Sequence, residues 1–346
     1  MTSSPMRFGL FVPQGWRLDL VDIAPGDQWE AMLRVAEHAD RGGAFESIWV
    51  YDHFHTTPTP TDEATHEAWS LMAALGAATE RIRLGQMCTC TAYRNPAYLA
   101  KVAATVDSIS GGRLEMGIGA GWYEHEWRAY GYGFPSAGVR LGMLDEAVQI
   151  MRQAWTHGVS TLDGEHYQVD GAICRPLPLQ DGGIPLWIAG GGEKVTLRIA
   201  AKNARGQDDD GLSAHTKYTN FGGIADIFRR KSEVLKRHCD DLGTDFDSIT
   251  RTADYNVIVG RTQAEVDDQL ARLDERNARF LTPKKAANSR KAFTDGPTVG
   301  TVDQVIESLL ELKGLGMTYA ICYFPFAAYD IGTVELFEKE VIPALS

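Results

Sequence analysis

The chain has no long apolar run. Over its 346 residues nothing approaches the ~20 consecutive apolar residues needed to cross a bilayer, and residues 1–7 lack both a basic start and an apolar signal core. A cytoplasmic location with no membrane partner is therefore expected. Positive charge is also short: 34 Lys and Arg against 46 Asp and Glu leave a net charge of −12. Nucleic acid is a poor partner for such a chain, because binding phosphates takes clustered cations. An anionic ligand would need a local positive site. Cysteine is scarce and odd in number, five residues at Cys88, Cys90, Cys174, Cys239 and Cys322. That spacing suits neither a disulfide scaffold nor a four-ligand zinc site, so reduced thiols are expected. No internal repeat, low-complexity tract or early dinucleotide fingerprint stands out.

What is present is ordinary globular composition, 44% hydrophobic and 23% charged, arranged as short apolar runs alternating with helical patterns. Strands are expected over 7–12, 47–51, 83–90 and 114–118, with helices over 28–41, 67–79 and 95–109 between them. The third helix closes on Gly111 and Gly112 as its C-cap. Strands that alternate with helices imply parallel pairing, and four such units without a dinucleotide-type break favour a closed barrel. After a helix over 141–155, residues 159–169 read as an inserted hairpin, with Asp163-Gly164 as its turn. Repeats resume with a strand over 185–189, a helix over 193–204, apolar runs over 252–259 and 318–324, and a last helix over 333–341. The expected fold class is α/β, a (β/α)8 TIM barrel with an inserted hairpin and loops. Its weak point is the sixth strand. After Ala204 come Arg205, Gly206, Gln207 and the acidic triplet Asp208 to Asp210, which read as a loop. The polar segment 272–298, with Lys284, Lys285 and Arg290, reads as a lid or as a poorly ordered loop.

In a TIM barrel the chemistry sits where strands end and βα loops begin. The second strand ends in Tyr51-Asp52-His53-Phe54-His55. An imidazole there, beside Asp52, can give or take a proton near neutral pH; it can equally be a mouth histidine that hydrogen-bonds its neighbours. His53 and His55 also match the start of a metal-hydrolase barrel, but the fifth strand ends in Gly190, Gly191 and Gly192 and the eighth in Phe324-Pro325, which supply no further ligands, so no metal is expected. Gly117, Gly119 and Gly121 close the fourth strand; alternate glycines permit close approach or a tight turn. Ala189 to Gly192 stand before Glu193 and Lys194, and a helix opening there would offer free N–H groups to a phosphate. Cys88 and Cys90, two apart on a strand, share a face and are either a redox pair or small interior side chains. Trp122, Tyr123, Trp127, Tyr130, Tyr132 and Phe134 crowd one loop, suited to stacking on a planar ligand or to packing that loop down.

Taken in order, these segments resemble the luciferase-like monooxygenase superfamily, and within it the branch that uses coenzyme F420. The residues that carry the likeness are Phe8-Gly-Leu-Phe-Val-Pro13, Ile48-Trp-Val-Tyr-Asp-His-Phe54, Glu80-Arg-Ile-Arg-Leu-Gly85, Tyr93-Arg-Asn-Pro-Ala97, Asp107-Ser-Ile-Ser-Gly-Gly-Arg-Leu114, Gly117-Ile-Gly-Ala-Gly-Trp122 and Trp187-Ile-Ala-Gly-Gly-Gly192. The resemblance implies one barrel domain over 1–346, with insertions at about 54–66, 122–138, 157–184, 205–222 and 272–298. It implies a ring held against a backbone bulge with a non-proline cis peptide at about Met87-Cys88, with Cys90 in the same wall and Asp52 at the ring edge. Gly119, Ala120 and Gly121, with Ala189, Gly190, Gly191 and Gly192, would cradle the phosphate. His53 would be the catalytic acid or base.

The implied activity is hydride transfer between coenzyme F420 and a small organic substrate, in a homodimer. An FMN-dependent monooxygenase and a non-catalytic flavin-binding protein are the alternatives. Two features depart from the branch. The sixth strand lacks its usual apolar run, and Trp122 stands where the branch's glucose-6-phosphate dehydrogenase has a catalytic Glu, which argues against that substrate.

Overall fold

The computed structural model describes residues 5–204 and 216–345. Its first half runs β1 (Arg7–Phe11), α1 (Gln28–Gly42), β2 (Ser47–Val50), α2 (Ala68–Ala78), β3 (Arg83–Gln86), β4 (Thr89–Cys90), α3 (Pro96–Ile109), β5 (Leu114–Gly119), α4 (Glu124–Ala129) and α5 (Ala137–His157). The hairpin β6 (Val159–Asp163) and β7 (Gln168–Ile173) follows, then β8 (Leu186–Ala189), α6 (Thr196–Lys202), β9 (Thr216–Asn220), α7 (Ala225–Leu242) and β10 (Thr250–Asn256). The chain closes with β11 (Ile258–Gly260), α8 (Gln263–Ala278), α9 (Pro283–Thr294), β12 (Val299–Thr301), α10 (Val302–Gly314), β13 (Tyr319–Tyr323) and α11 (Gly332–Leu336). The main sheet is ordered β3-β2-β1-β13-β10-β9-β8-β5-β4, and β3 also pairs with β5, so it returns on itself as the closed parallel barrel of a TIM fold.

By internal contacts the chain divides into two compact units. The first holds the residues up to Glu67, Gly222–Arg229 and those from Thr252 on; the second holds Ala68–Phe221 and Arg230–Arg251. In the first unit the parallel strands lie in the order β2-β1-β13-β10, in registers such as Leu10 opposite Ile48 and Phe8 opposite Ala320. Strands covered on both faces need apolar side chains throughout, and Ile48, Trp49, Val50 and Ile321 are all buried. The polar exceptions satisfy one another: Ser47 Oγ and Tyr319 OH lie 2.6 Å apart, and Trp49 Nε1 donates to Ser47 Oγ at 2.5 Å.

In the second unit β5 stands between β3 and β8, and β9 extends the sheet beyond β8. The buried Glu115 accepts from Arg83 Nε and, at 2.7 Å, from Trp187 Nε1, so its charge is met inside the sheet. Helix α3 begins where Asn95 Oδ1 accepts from the N–H groups of Ala97 and Tyr98, a cap worth about 0.5–2 kcal/mol. Helix α5 buries Leu144, Ala147, Val148 and Met151 along one stripe, at ~1.5–3 kcal/mol for each large side chain.

Several expected boundaries move. The sixth barrel strand is present as β9, within the stretch expected to loop; it carries no apolar run, and Tyr218 stacks flat on Trp187 at 3.7 Å instead. The acidic stretch 205–215 lies outside the described residues. Segment 272–298 is largely helical rather than poorly ordered: it holds the end of α8 and all of α9, which Thr282 caps and Pro283 opens. In the hairpin, Asp163 pairs with Gln168, so the loop is Gly164 to Tyr167 rather than the Asp163-Gly164 step. The helix expected over 193–204 begins only at Thr196 and spans seven residues, which removes the helix N-terminus from the end of the glycine run.

Candidate active site

In the first unit Gln14 ties down the chain beyond β2. Gln14 donates to Tyr51 O at 2.8 Å and His66 O at 2.6 Å, and its Oε1 accepts from Tyr51 N at 2.8 Å. This fixes the backbone one residue before Asp52, which is 2% exposed, and two before the half-buried His53. The His53 ring lies flat on the Trp16 indole, with centroids 4.2 Å apart and planes within 1°. Trp16 in turn leans on Tyr51, which stacks on Phe11 at 4.2 Å. A stacked imidazole keeps its plane, so its nitrogens are aimed by the aromatic layer beneath it. His55 is also half-buried, two residues further along the same loop.

In the second unit β3 stops at Gln86 and β4 resumes at Thr89, and the intervening Met87-Cys88 peptide is cis, as the resemblance implied. Thr89 Oγ1 donates to Gln86 Oε1 across the break. Met87 and Cys90 are buried and Cys88 is partly exposed. Cys90 lies in register with Gly119, whose carbonyl accepts from Thr91 Oγ1 at 2.9 Å. A Cβ at Gly119 would sit 2.8 Å from Cys88 Sγ and 3.1 Å from Ala189 O, so the ends of β4, β5 and β8 meet where only glycine fits. The thiols therefore fill glycine gaps: Cys90 Sγ stands against Gly121 as Cys88 Sγ does against Gly119.

Ala120 and Gly121 are half-buried, and Gly190, Gly191 and Gly192 are exposed, one step beyond Ala189. All these glycines thus lie at the C-terminal ends of adjacent parallel strands. The aromatic loop divides. Trp127 is buried, and the indole Nε1, near Gly121, has no hydrogen-bond partner, whereas Trp122 is 60% exposed.

One further residue joins this group. Lys231, on α7, reaches back so that its Nζ occupies the space a Gly191 side chain would need, while donating to Phe221 O at 3.0 Å. Partial burial holds its pKa below that of an ordinary lysine. Forty residues of chain separate Lys231 from Gly191, and no spacing pattern in the sequence links them. Among the described residues no three His, Cys, Asp or Glu side chains gather in a way that would hold a metal ion.

The family model of luciferase-like monooxygenases matches residues 6–319. The chain belongs to the luciferase-like monooxygenase family. Its relatives include the F420-dependent glucose-6-phosphate dehydrogenase of Mycobacterium avium, 32% identical over 96% of this chain and 97% of that one. The enzyme of the same description from Gordonia bronchialis is 29% identical, with 96% of each chain covered. Among solved structures, an F420-dependent secondary alcohol dehydrogenase in complex with an F420-acetone adduct matches with a TM-score of 0.77 at 20% identity, covering 99% of this chain and all of that one. The coenzyme F420-dependent tetrahydromethanopterin reductase of Methanopyrus kandleri matches at 0.74 and 18% identity, with 99% and 100% covered. At that identity the solved structures speak for the fold. As a member of this luciferase-like family, homologous over its length to dehydrogenases, the protein is an oxidoreductase.

Proposed function

We propose that the protein transfers a hydride between coenzyme F420 and a small organic substrate, with His53 as the proton donor or acceptor. The observation that carries this reading is the glycine-lined meeting of the ends of β4, β5 and β8 around Cys88, Gly119 and Ala189, with the Lys231 ammonium beside Gly191. A phosphate needs exposed backbone and a nearby cation, and in a chain of net charge −12 the exposed Gly190 to Gly192 beside Lys231 offer both. The near-full-length likeness to enzymes named for F420 favours the deazaflavin over FMN.

In this reading Gly119, Ala120 and Gly121, with Ala189 to Gly192 and Lys231, would hold the phosphate. Met87, Cys88 and Cys90 would wall the ring, and Asp52 would meet its edge. When bound, F420 supplies a ring carbon that gives or takes a hydride in place of a flavin nitrogen, and the protein contributes binding and orientation. His53 carries the accompanying proton at one ring nitrogen, its plane set by Trp16. The buried Asp52 and Tyr51 exclude water from the segment that bears it.

The test is His53→Gln, assayed as F420 reduction and F420H2 oxidation across a panel of alcohols, aldehydes and enones. Turnover is expected to fall by ~10²–10⁴-fold with cofactor affinity retained. Wild type and variant that both bind the cofactor yet turn over nothing would instead make this a flavin-binding protein without catalysis.

A further inference from the structure

The first unit holds a partly open cavity of about 250 Å³ that the cofactor reading does not use. Its wall comes from the loop after β1, the loop after β2, the end of β10, α8, α9 and β13. The residues that give it character are Arg17, Asn256, Arg276, Lys285, Phe293 and Tyr323. Three cations line it and no carboxylate does, in a protein whose net charge is −12.

These cations are built in. The Arg17 guanidinium lies over three rings, 4.6 Å from the centroid of Tyr323, 5.1 Å from that of Trp16 and 5.4 Å from that of Tyr51, and it donates to Asn256 Oδ1. Arg276 is 9% exposed; its Nη1 donates to Pro325 O at 2.8 Å, and its Nε is buried with no partner. Lys285 reaches from α9 to Thr59 Oγ1 at 2.5 Å. The carboxylates that balance the arginines stand outside the lining. Asp19, held by Gly15 N at 2.7 Å, faces both Arg17 and Arg276, and Asp254 faces Arg17. Trp16 links this wall to the proposed acid or base, for its indole carries Arg17 and His53 alike.

We propose that this cavity is the substrate pocket and that it selects a small organic anion with an apolar body, its oxyanion held by Arg17 and Arg276 and its body lying against Phe293 and Tyr323. Planar guanidinium groups bind carboxylate or phosphate oxygens in pairs, which Lys285 alone would not do. The inference rests on the hydride-transfer reading for what becomes of the substrate, but recognition of the anion is independent of it.

The experiment is calorimetric binding to the full chain without cofactor. The probes are benzoate and 3-phenylpropanoate, their neutral amides, phenyl phosphate and glucose 6-phosphate. Acids are expected to bind at least ~10-fold more tightly than their amides, since only the acids offer the guanidinium groups charge-assisted hydrogen bonds. The carboxylate and phosphate arms decide which oxyanion the pocket prefers. Arg17→Lys and Lys285→Met, checked for unchanged melting, and Arg276→Met are each expected to weaken acid binding ~10-fold while F420 affinity, read by fluorescence, stays at the wild-type value. Amides that bind as well as acids, no binding by any probe, or F420 binding lost with the arginines would overturn the proposal. If the acids bind as described but F420 does not bind at all, the pocket stands and the hydride-transfer reading fails.

Discussion

At the scale of single residues, Lys231 makes the most exposed commitment. Its ammonium stands in the gap at Gly191, and partial burial lowers its pKa. The sign follows directly: the charged form persists below that pKa and is lost as pH rises through it, earlier than for an ordinary lysine. Cofactor affinity should therefore weaken on the alkaline side in the wild type. Lys231→Met should bind F420 some 10-fold or more weakly at neutral pH, the worth of a charge-assisted hydrogen bond, and its affinity should no longer respond in that alkaline range. Fluorescence titrations of both proteins over pH 7 to 10 check this. A variant that binds like wild type would remove Lys231 from the site. This residue was invisible in the sequence because helix α7 delivers it from 40 positions away, whereas Asp52-His53 and the two glycine runs are local patterns at strand ends and could be read off directly.

At the scale of elements, legibility followed the strength of the apolar signal. Strands β1 and β2 are apolar after their first residue, β5 is broken only by Glu115, and helix α3 has its Asn-Pro start and double-glycine end, so each was recognisable. Strand β9 was missed because Thr216–Asn220 owes its place to parallel pairing with β8 and to one aromatic stack, both tertiary facts. Helix α9 was missed because its exposed face is polar, and only Phe293 is buried. The break between β3 and β4 followed from the family likeness and not from any periodicity.

The loop after β2 yields a stability prediction. His66 is half-buried beside Gln28 Oε1 at 2.8 Å, and burial lowers its pKa. The fold thus resists a proton that the unfolded chain accepts below ~6.5, so stability is present at neutral pH and is lost as pH falls from there toward the lowered value. The melting temperature should drop between pH 7.5 and 5.5, and by less in His66→Gln. Equal drops in both proteins would show that His66 does not carry this dependence.

At the scale of the whole molecule, an acidic protein sets cations in both proposed binding places, Lys231 beside the exposed glycines of one unit and Arg17, Arg276 and Lys285 around the cavity of the other. No described helix is long and apolar enough to cross a membrane. Family membership and near-full-length relatives make the chain an oxidoreductase; the proposed deazaflavin is supported by relatives named for F420. The most direct test offers the purified protein coenzyme F420 and FMN in parallel titrations and reads bound absorbance at ~420 nm and ~450 nm, where the electronics of the two rings differ. The account predicts saturable binding of F420, weakened by Gly119→Val, with FMN binding far more weakly. Tight FMN binding with no response to F420 would contradict it.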